Sequence, residues 1–310
     1  MNRIDQRRQN YIILGENFYL DNKKEKSVQF FLKALEFQAN IKDDIITLFN
    51  IAIIYDELEK PEESFKTYKR ILELDPNNSG AYFGMAIMKE RSGNPYLALD
   101  FYFKAIELDP KYDRAYYFAA NLLDLKGDKE HAIKLYKRVL ELEPEDYHAY
   151  NNLGSLYEEL GEYEDAYIML EKSISIEDKF YKSLFNMGVV YNRLKNDKKA
   201  LEYYFKSLEQ NQHYHFTYLN ISAIYIEDKL YKESIEILSE GIIYNPKAEE
   251  LYYNRACCYS ILGMEEAAIS DIIKVIQLDN SNINWVRKDK DFYNLYNNEK
   301  FLKIIEQIEE

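Results

Sequence analysis

What most constrains this chain is that it repeats itself every 34 residues. Residues 143–178 show the unit most fully. Tyr150 is followed three residues on by Leu153 and Gly154, then by Tyr157 and a turn glycine, Gly161. A second apolar register follows, carried by Tyr163, Ala166, Tyr167 and Leu170. Spacings of three and four put each set on one helix face, so the unit reads as two amphipathic helices joined by a tight turn. A unit this small cannot bury its apolar face alone. Copies must stack, and the period predicts an array of helical hairpins.

Laid out on that period, the first copy runs over 8–41 and is followed by three extra residues, 42–44. The rest keep strict register at 45–78, 79–112, 113–146, 147–180, 181–214, 215–248 and 249–282. One column in the first helix reads Gly15, Ala52, Ala86, Ala120, Gly154, Gly188, Ser222 and Ala256. A second, early in the second helix, reads Ser27, Ser64, Ala98, Ala132, Ala166, Ala200, Ser234 and Ala268. Small side chains in both columns let one helix backbone approach the next, while the large residues between them interdigitate. Pro76, Pro110, Pro144 and Pro246 mark four linkers, where proline cannot continue the second helix. Asp178, Gln212 and Asn280 hold the same place in the others. In the aromatic column that includes Tyr55 and Tyr157, Lys89 is the one polar break, and its ammonium is expected to reach water along the surface.

The chain carries 54 Asp and Glu against 40 Lys and Arg, a formal charge of −14, which argues against nucleic acid or an anionic membrane as a partner. Cys257 and Cys258 are adjacent on a helical stretch, about 100° apart around its axis, so they do not pair with each other. With so few cysteines, and with Ile12, Ile13 and Leu14 too short an apolar run for a leader or a span, the expected location is cytoplasmic. No Gly-rich phosphate loop, catalytic Ser-His-Asp spacing or zinc-type ligand pairing is present. His213 and His215 form the one close histidine pair and fall at a repeat junction, where a solvated loop is expected rather than a metal site. The chain reads as a non-enzyme with no cofactor.

The run Ala81-Tyr82, Gly93, Ala98-Leu99, Tyr102, Ala105-Ile106-Glu107-Leu108-Asp109-Pro110 at this period resembles the tetratricopeptide repeat, and the likeness extends over residues 8–282. The resemblance implies an all-α, right-handed superhelical solenoid of helix-turn-helix repeats whose first helices line a concave groove. It further implies that the second, fifth, sixth, ninth, twelfth and thirteenth positions of each repeat face that groove. At the sixth position stand Asn50, Asn152, Asn186, Asn220 and Asn254. An amide both donates and accepts, so such a row could grip the backbone of an extended peptide. At the fifth position Phe49, Phe83, Tyr117, Phe185 and Tyr253 would be part-exposed. Asp56, Glu57, Glu90, Asp124, Glu158, Glu159 and Glu227, against Arg91 and Arg193, make one rim acidic and disfavour a strongly acidic ligand. No repeat has Lys at the fifth position, and Asn121 at a ninth is paired with Tyr117, so the family's clamp for acidic chaperone tails is not reproduced.

A solenoid also needs its last apolar face covered. Residues 283–310 leave the period and read as a helical cap, ending in an amphipathic helix from Asn298 to Ile308 with Phe301, Leu302, Ile304 and Ile305 on one side. The expected function is a protein–protein interaction scaffold that binds an extended peptide or partner segment. The alternatives are a regulatory or substrate-binding subunit of an enzyme on another chain, or a self-assembling structural solenoid.

Overall fold

In the computed structural model, which describes residues 3–37 and 40–306, every regular element is a helix and none is a strand. Sixteen helices follow one another as pairs. They are α1 (Arg3–Leu20), α2 (Lys24–Ala34), α3 (Ile41–Glu57), α4 (Pro61–Leu74), α5 (Ser79–Arg91), α6 (Pro95–Leu108), α7 (Asp113–Leu125) and α8 (Lys129–Leu142). The series continues with α9 (Tyr147–Glu159), α10 (Tyr163–Ile176), α11 (Tyr181–Arg193), α12 (Asp197–Gln210), α13 (His215–Glu227), α14 (Tyr231–Tyr244), α15 (Glu249–Ile261) and α16 (Glu265–Leu278). The chain divides into two compact units, Met1–Ala149 and Tyr150–Glu310.

Each hairpin turns on one residue in the left-handed region. Glycine supplies it at Gly93, Gly127, Gly161 and Gly263, with φ between +73° and +79°. The other four hairpins use Asn22, Glu59, Lys195 and Lys229, with φ of 56–62°. The amide after the turn residue reaches back to the first helix, as in Leu230 N to Tyr225 O at 2.7 Å. The turn residue's own amide reaches the next carbonyl along, as in Lys229 N to Ile226 O at 2.9 Å. Those two bonds satisfy carbonyls that the helix end would leave orphaned.

In several linkers the residue at the end of the second helix also shapes the turn with its side chain. Asp75 Oδ1 accepts from Asn77 N at 3.2 Å, and Asp109 Oδ1 from Lys111 N at 3.0 Å. The same bond recurs where proline is missing, from Lys179 N to Glu177 Oε1 at 3.3 Å and from His213 N to Asn211 Oδ1 at 2.9 Å. A short polar side chain that captures the amide two residues on makes a turn by itself. His213 Nδ1 also donates to the Tyr244 carbonyl at 3.0 Å, so that ring is engaged within the fold.

The small columns meet as a physical contact between helices. Ser27 Oγ donates to Gly15 O at 2.7 Å, and Ser64 Oγ to Ala52 O at 2.8 Å. The glycines of the first column make room for a ring or branch from the paired helix. A methyl added at Gly188 would lie 2.6 Å from the Tyr204 ring, and one at Gly154 would lie 2.7 Å from Leu170 Cγ. Tyr102, Tyr136, Tyr204, Tyr218 and Phe31 are among the largest fully buried side chains. Lys89 is half-buried, with its ammonium 4.2 Å from the centre of the Phe65 ring in a cation–π contact.

The segment after α16 closes the second unit. It contains a 3₁₀ turn (Asn280–Asn282), α17 (Ile283–Val286), a second 3₁₀ stretch (Lys290–Asn297) and α18 (Glu299–Glu306). Val286, Phe292, Leu295, Phe301 and Ile305 pack with Ala256, Ala268, Ile269 and Ile272 into one apolar cluster. Polar ties hold the segment in register, with Arg287 Nε donating to Ile305 O at 2.9 Å and Asn294 Nδ2 to Ser260 O at 2.8 Å. The expected last helix is therefore present as α18, while Ile308 lies outside the described residues.

Two substitutions test this packing from opposite directions. Gly188→Ala gains about 1 kcal/mol of helix propensity but forces a methyl into a Tyr204 ring that is itself fully buried. Overpacking costs ~1–3 kcal/mol, so a net loss of roughly 1 kcal/mol is expected in urea melts. Lys229→Gly relieves a left-handed backbone at a side chain without an ion pair among the described residues. A gain of about 0.5–1 kcal/mol is expected, and a loss would show that the turn does not hold that conformation.

Candidate functional site

The first helices place the sixth-position asparagines half-buried in each repeat, but their amides are not equivalent. In the second unit Asn186 Nδ2 donates to Asn151 Oδ1 at 3.0 Å, and Asn151 Nδ2 donates to Asn152 Oδ1 at 3.0 Å. Asn220 is held twice, its Nδ2 donating to Phe216 O at 2.8 Å and its Oδ1 accepting from Tyr204 OH at 3.3 Å. Asn254 has no side-chain hydrogen bond among the described residues, and in the first unit neither has Asn50. The carboxamides left for a ligand at these positions are thus those of Asn50 and Asn254.

Asn151, which the sequence reading passed over, organises the first of these networks. It is only 4% exposed, and its Oδ1 also accepts from Ser183 Oγ at 3.1 Å, which in turn shares a hydrogen bond with Ser173 Oγ at 2.6 Å. The signal was in the column. The fifth position reads Ile12, Phe49, Phe83, Tyr117, Asn151, Phe185, Leu219 and Tyr253, and Asn151 alone is an amide.

The aromatic members of that column pack inward to different degrees. Phe83 is 5% exposed rather than part-exposed, enclosed by Tyr102, Tyr112 and Phe118 with Arg114 over its face at 5.1 Å. The others are half-buried. Phe49 meets Tyr68 edge-on at 5.9 Å, Tyr117 meets Tyr136 at 6.0 Å, and Phe185 meets Tyr204 and Tyr214 at 5.7 and 5.1 Å. Tyr253 OH donates to Asp289 Oδ2 at 2.6 Å, tying α15 to the closing segment. Burial, and then the hydrogen bond to Asp289, raises that hydroxyl's pKa and keeps it a donor. Burial likewise pushes the Tyr68 hydroxyl up to about 12. The buried Tyr102 and Tyr204 rings end in hydroxyls that reach polar groups, Glu90 Oε2 at 2.7 Å and Asn220 Oδ1 at 3.3 Å, whereas Tyr218 OH is buried with no hydrogen-bond partner among the described residues.

Much of the acidic rim is neutralised from within. Arg91 pairs with Asp56, Arg193 Nε lies 2.8 Å from Glu158 Oε1, and Lys24 Nζ lies 3.2 Å from Glu57 Oε2. Glu57 also accepts from Tyr19 OH at 2.7 Å. The deepest ion pair, Arg255 with Asp271, joins α15 to α16 through two parallel bonds of 2.8 Å, and Arg255 Nη1 donates on to Ser239 Oγ at 2.8 Å.

One group of three potential metal ligands comes together among the described residues, Cys257 with Asp289 and Asp291. Its chemistry is poor for a cation. The Cys257 thiol is buried, which raises its pKa and keeps it protonated, and the two carboxylates push it further the same way. Asp289 Oδ2 already accepts from Tyr253.

Two hollows on the first-helix side are lined differently. In the first unit, Glu16, Tyr19, Leu20, Phe31, Asn50, Ile53 and Ile54 surround a mostly apolar hollow of about 470 Å³. In the second, Glu249, Glu250, Tyr253, Asn254, Val275, Asn282 and Trp285 surround one of about 380 Å³.

Paired helices in fixed register, with a small-residue seam and a closing segment, define a helical-repeat protein. Tetratricopeptide-repeat family models match residues 46–78, 113–146, 181–214 and 249–282, and another such model matches 135–167. The chain belongs to the tetratricopeptide-repeat family. Human protein O-mannosyl-transferase TMTC3 is 39% identical over 77 residues, 24% of this chain. The chain spans only 8% of that relative's length. Among solved structures, a tetratricopeptide repeat protein from Parabacteroides merdae aligns with a TM-score of 0.62 at 16% identity, over 76% of this chain and 93% of that one. YrrB, described as a TPR protein with an unusual peptide-binding site, aligns at 0.50 and 23% identity, over 60% of this chain and 95% of that one. At these identities the two structures speak to the fold. No helix among the described residues is long and apolar enough to cross a membrane.

The Asn151 network separates structural from available amides by experiment. Asn151→Ala leaves Asn186 and Ser183 without their buried acceptor and is expected to cost about 1–3 kcal/mol in urea melts. Asn254→Ala removes no internal hydrogen bond and is expected to stay within about 0.5 kcal/mol of the parent.

Proposed function

We infer that the chain is a protein-interaction scaffold that holds an extended segment of a partner against its first helices, without chemistry of its own. Tetratricopeptide repeats serve in general as protein–protein interaction scaffolds, which is the coarse form of this reading. The observation that carries the finer form is the apolar surface left open on the first unit. Leu20 is 80% and Ile53 47% exposed at one hollow that Asn50 with its unengaged amide also lines, and Ile13 and Ile46 on the same two helices are exposed as well. All are first-helix residues at repeat positions that the family directs toward a ligand. A cluster of large aliphatic side chains in water is costly to leave uncovered, and one amide beside it can fix the register of a peptide backbone. Apolar anchors on the partner would fill the hollow lined by Leu20, Ile53 and Phe31.

The test compares the parent chain with Leu20→Asp/Ile53→Asp as affinity baits, followed by direct titration of the recovered partner. Both positions are exposed on helices, so the variant should keep its helical content and melt. Loss of two anchors of ~1–2 kcal/mol each should weaken binding by at least about tenfold. Equal affinity for the variant would place the partner elsewhere and reject this surface.

A further inference from the structure

We propose that the cleft between α15 and α17 binds an arginine-bearing basic segment of a partner protein. This deepens the scaffold reading and rests on it. The cleft's chemistry differs from the apolar hollow in the first unit. Glu249 and Glu250 stand in the first turn of α15, Tyr253 and Asn254 one turn on, and Trp285 on α17 faces the same space.

Four features converge on a cation. First, neither glutamate makes an ion pair or hydrogen bond among the described residues, unlike Glu57, Glu158 and Asp271. The α15 helix dipole offsets only about half a charge, so the pair keeps a net charge of roughly −1.5. Second, no Lys or Arg among the described residues forms an ion pair with either carboxylate, although Lys247 and His215 border the neighbouring hollow that the two glutamates also line. Arg255 on the same helix is committed to Asp271, and Lys247, three residues before Glu250, forms no ion pair with either carboxylate.

Third, Trp285 is 71% exposed although the closing segment around it buries Ile283, Val286, Phe292 and Leu295. An indole face is the best of the aromatic surfaces for a cation, and its quadrupole attracts a guanidinium more strongly as water is excluded. Fourth, Asn254 offers an unengaged amide for the backbone that carries the cation. Arginine fits better than lysine, because its planar guanidinium can stack on the indole while its edge pairs with a carboxylate. An acidic segment meets uncompensated carboxylates here and is rejected.

The chain supplies its own probe. Trp285 is its sole tryptophan, so emission excited at about 295 nm reports on this cleft alone. The full chain is titrated with acetyl-tetra-arginine amide and, as a control, acetyl-tetra-glutamate amide, at about 0.15 M salt, where distant charges are screened. A fluorescein-labelled tetra-arginine peptide is followed in parallel by anisotropy. The expected result is a saturable change in Trp285 emission with the arginine peptide and none with the glutamate peptide. In Glu249→Gln/Glu250→Gln the dissociation constant should rise about tenfold, with the unliganded emission spectrum unchanged. An arginine peptide that fails to bind, or a dissociation constant unchanged in the double variant, overturns the proposal. So does anisotropy that reports binding while Trp285 stays silent, because the peptide then sits elsewhere. None of these outcomes touches the first-unit surface, whose test is the Leu20→Asp/Ile53→Asp bait.

Discussion

The fold depends on one recurring steric constraint, that the two helices in each hairpin come close enough for only glycine, alanine or serine to stand at the two facing columns. Gly154 and Gly188 show this directly, since a methyl at either would strike Leu170 or Tyr204. Ser27 and Ser64 turn the same proximity into a hydrogen bond to the facing carbonyl. Close approach lets the large side chains on either side, Phe31, Tyr102, Tyr136 and Tyr204, reach full burial. Dispersion and the hydrophobic effect both reward that density. The turn residues at left-handed φ and the side-chain-capped linkers exist to deliver the helices to that contact.

The hairpins were legible in the sequence because both small columns are contributed by local neighbours at fixed spacing, where helix geometry alone decides what meets what. Other features were not legible, for different reasons. A left-handed turn announces itself when glycine holds it, as at Gly161, but Glu59, Lys195 and Lys229 carry the same backbone with no such mark. Two hydrogen bonds back to the preceding helix hold each of these turns, so the residue accepts the strain. The linker was read from proline, whereas Glu177 and Asn211 build it without one.

Side-chain networks were the least legible part, since each depends on which neighbours happen to be polar. At the sixth position Asn186 and Asn220 present identical amides to the sequence reader. One is spent on Asn151 and the other on Tyr204 and Phe216, while Asn254 has no side-chain hydrogen bond among the described residues. Phe83 was expected to be part-exposed and is buried, because Tyr112 and Phe118 close over it. The columns nonetheless held a usable clue, in that a polar residue in an otherwise apolar column must be satisfied from somewhere.

The Arg255–Asp271 pair carries that logic furthest. Seven of the eight residues in the column of Arg255 are Leu14, Ile51, Met85, Ala119, Leu153, Met187 and Ile221, all apolar. Asp271 interrupts a column that elsewhere holds Phe30, Thr67, Phe101, Leu135, Met169, Tyr203 and Ile237. Each substitution alone would bury an uncompensated charge at a cost of several kcal/mol. Together, in the same repeat, they form a bidentate pair that offsets the desolvation, though apolar residues would stabilise the site as well or better. Glu249 and Glu250, six and five residues before Arg255 on α15 and out of its helical reach, form no ion pair among the described residues, at the place where the repeat array gives way to Trp285.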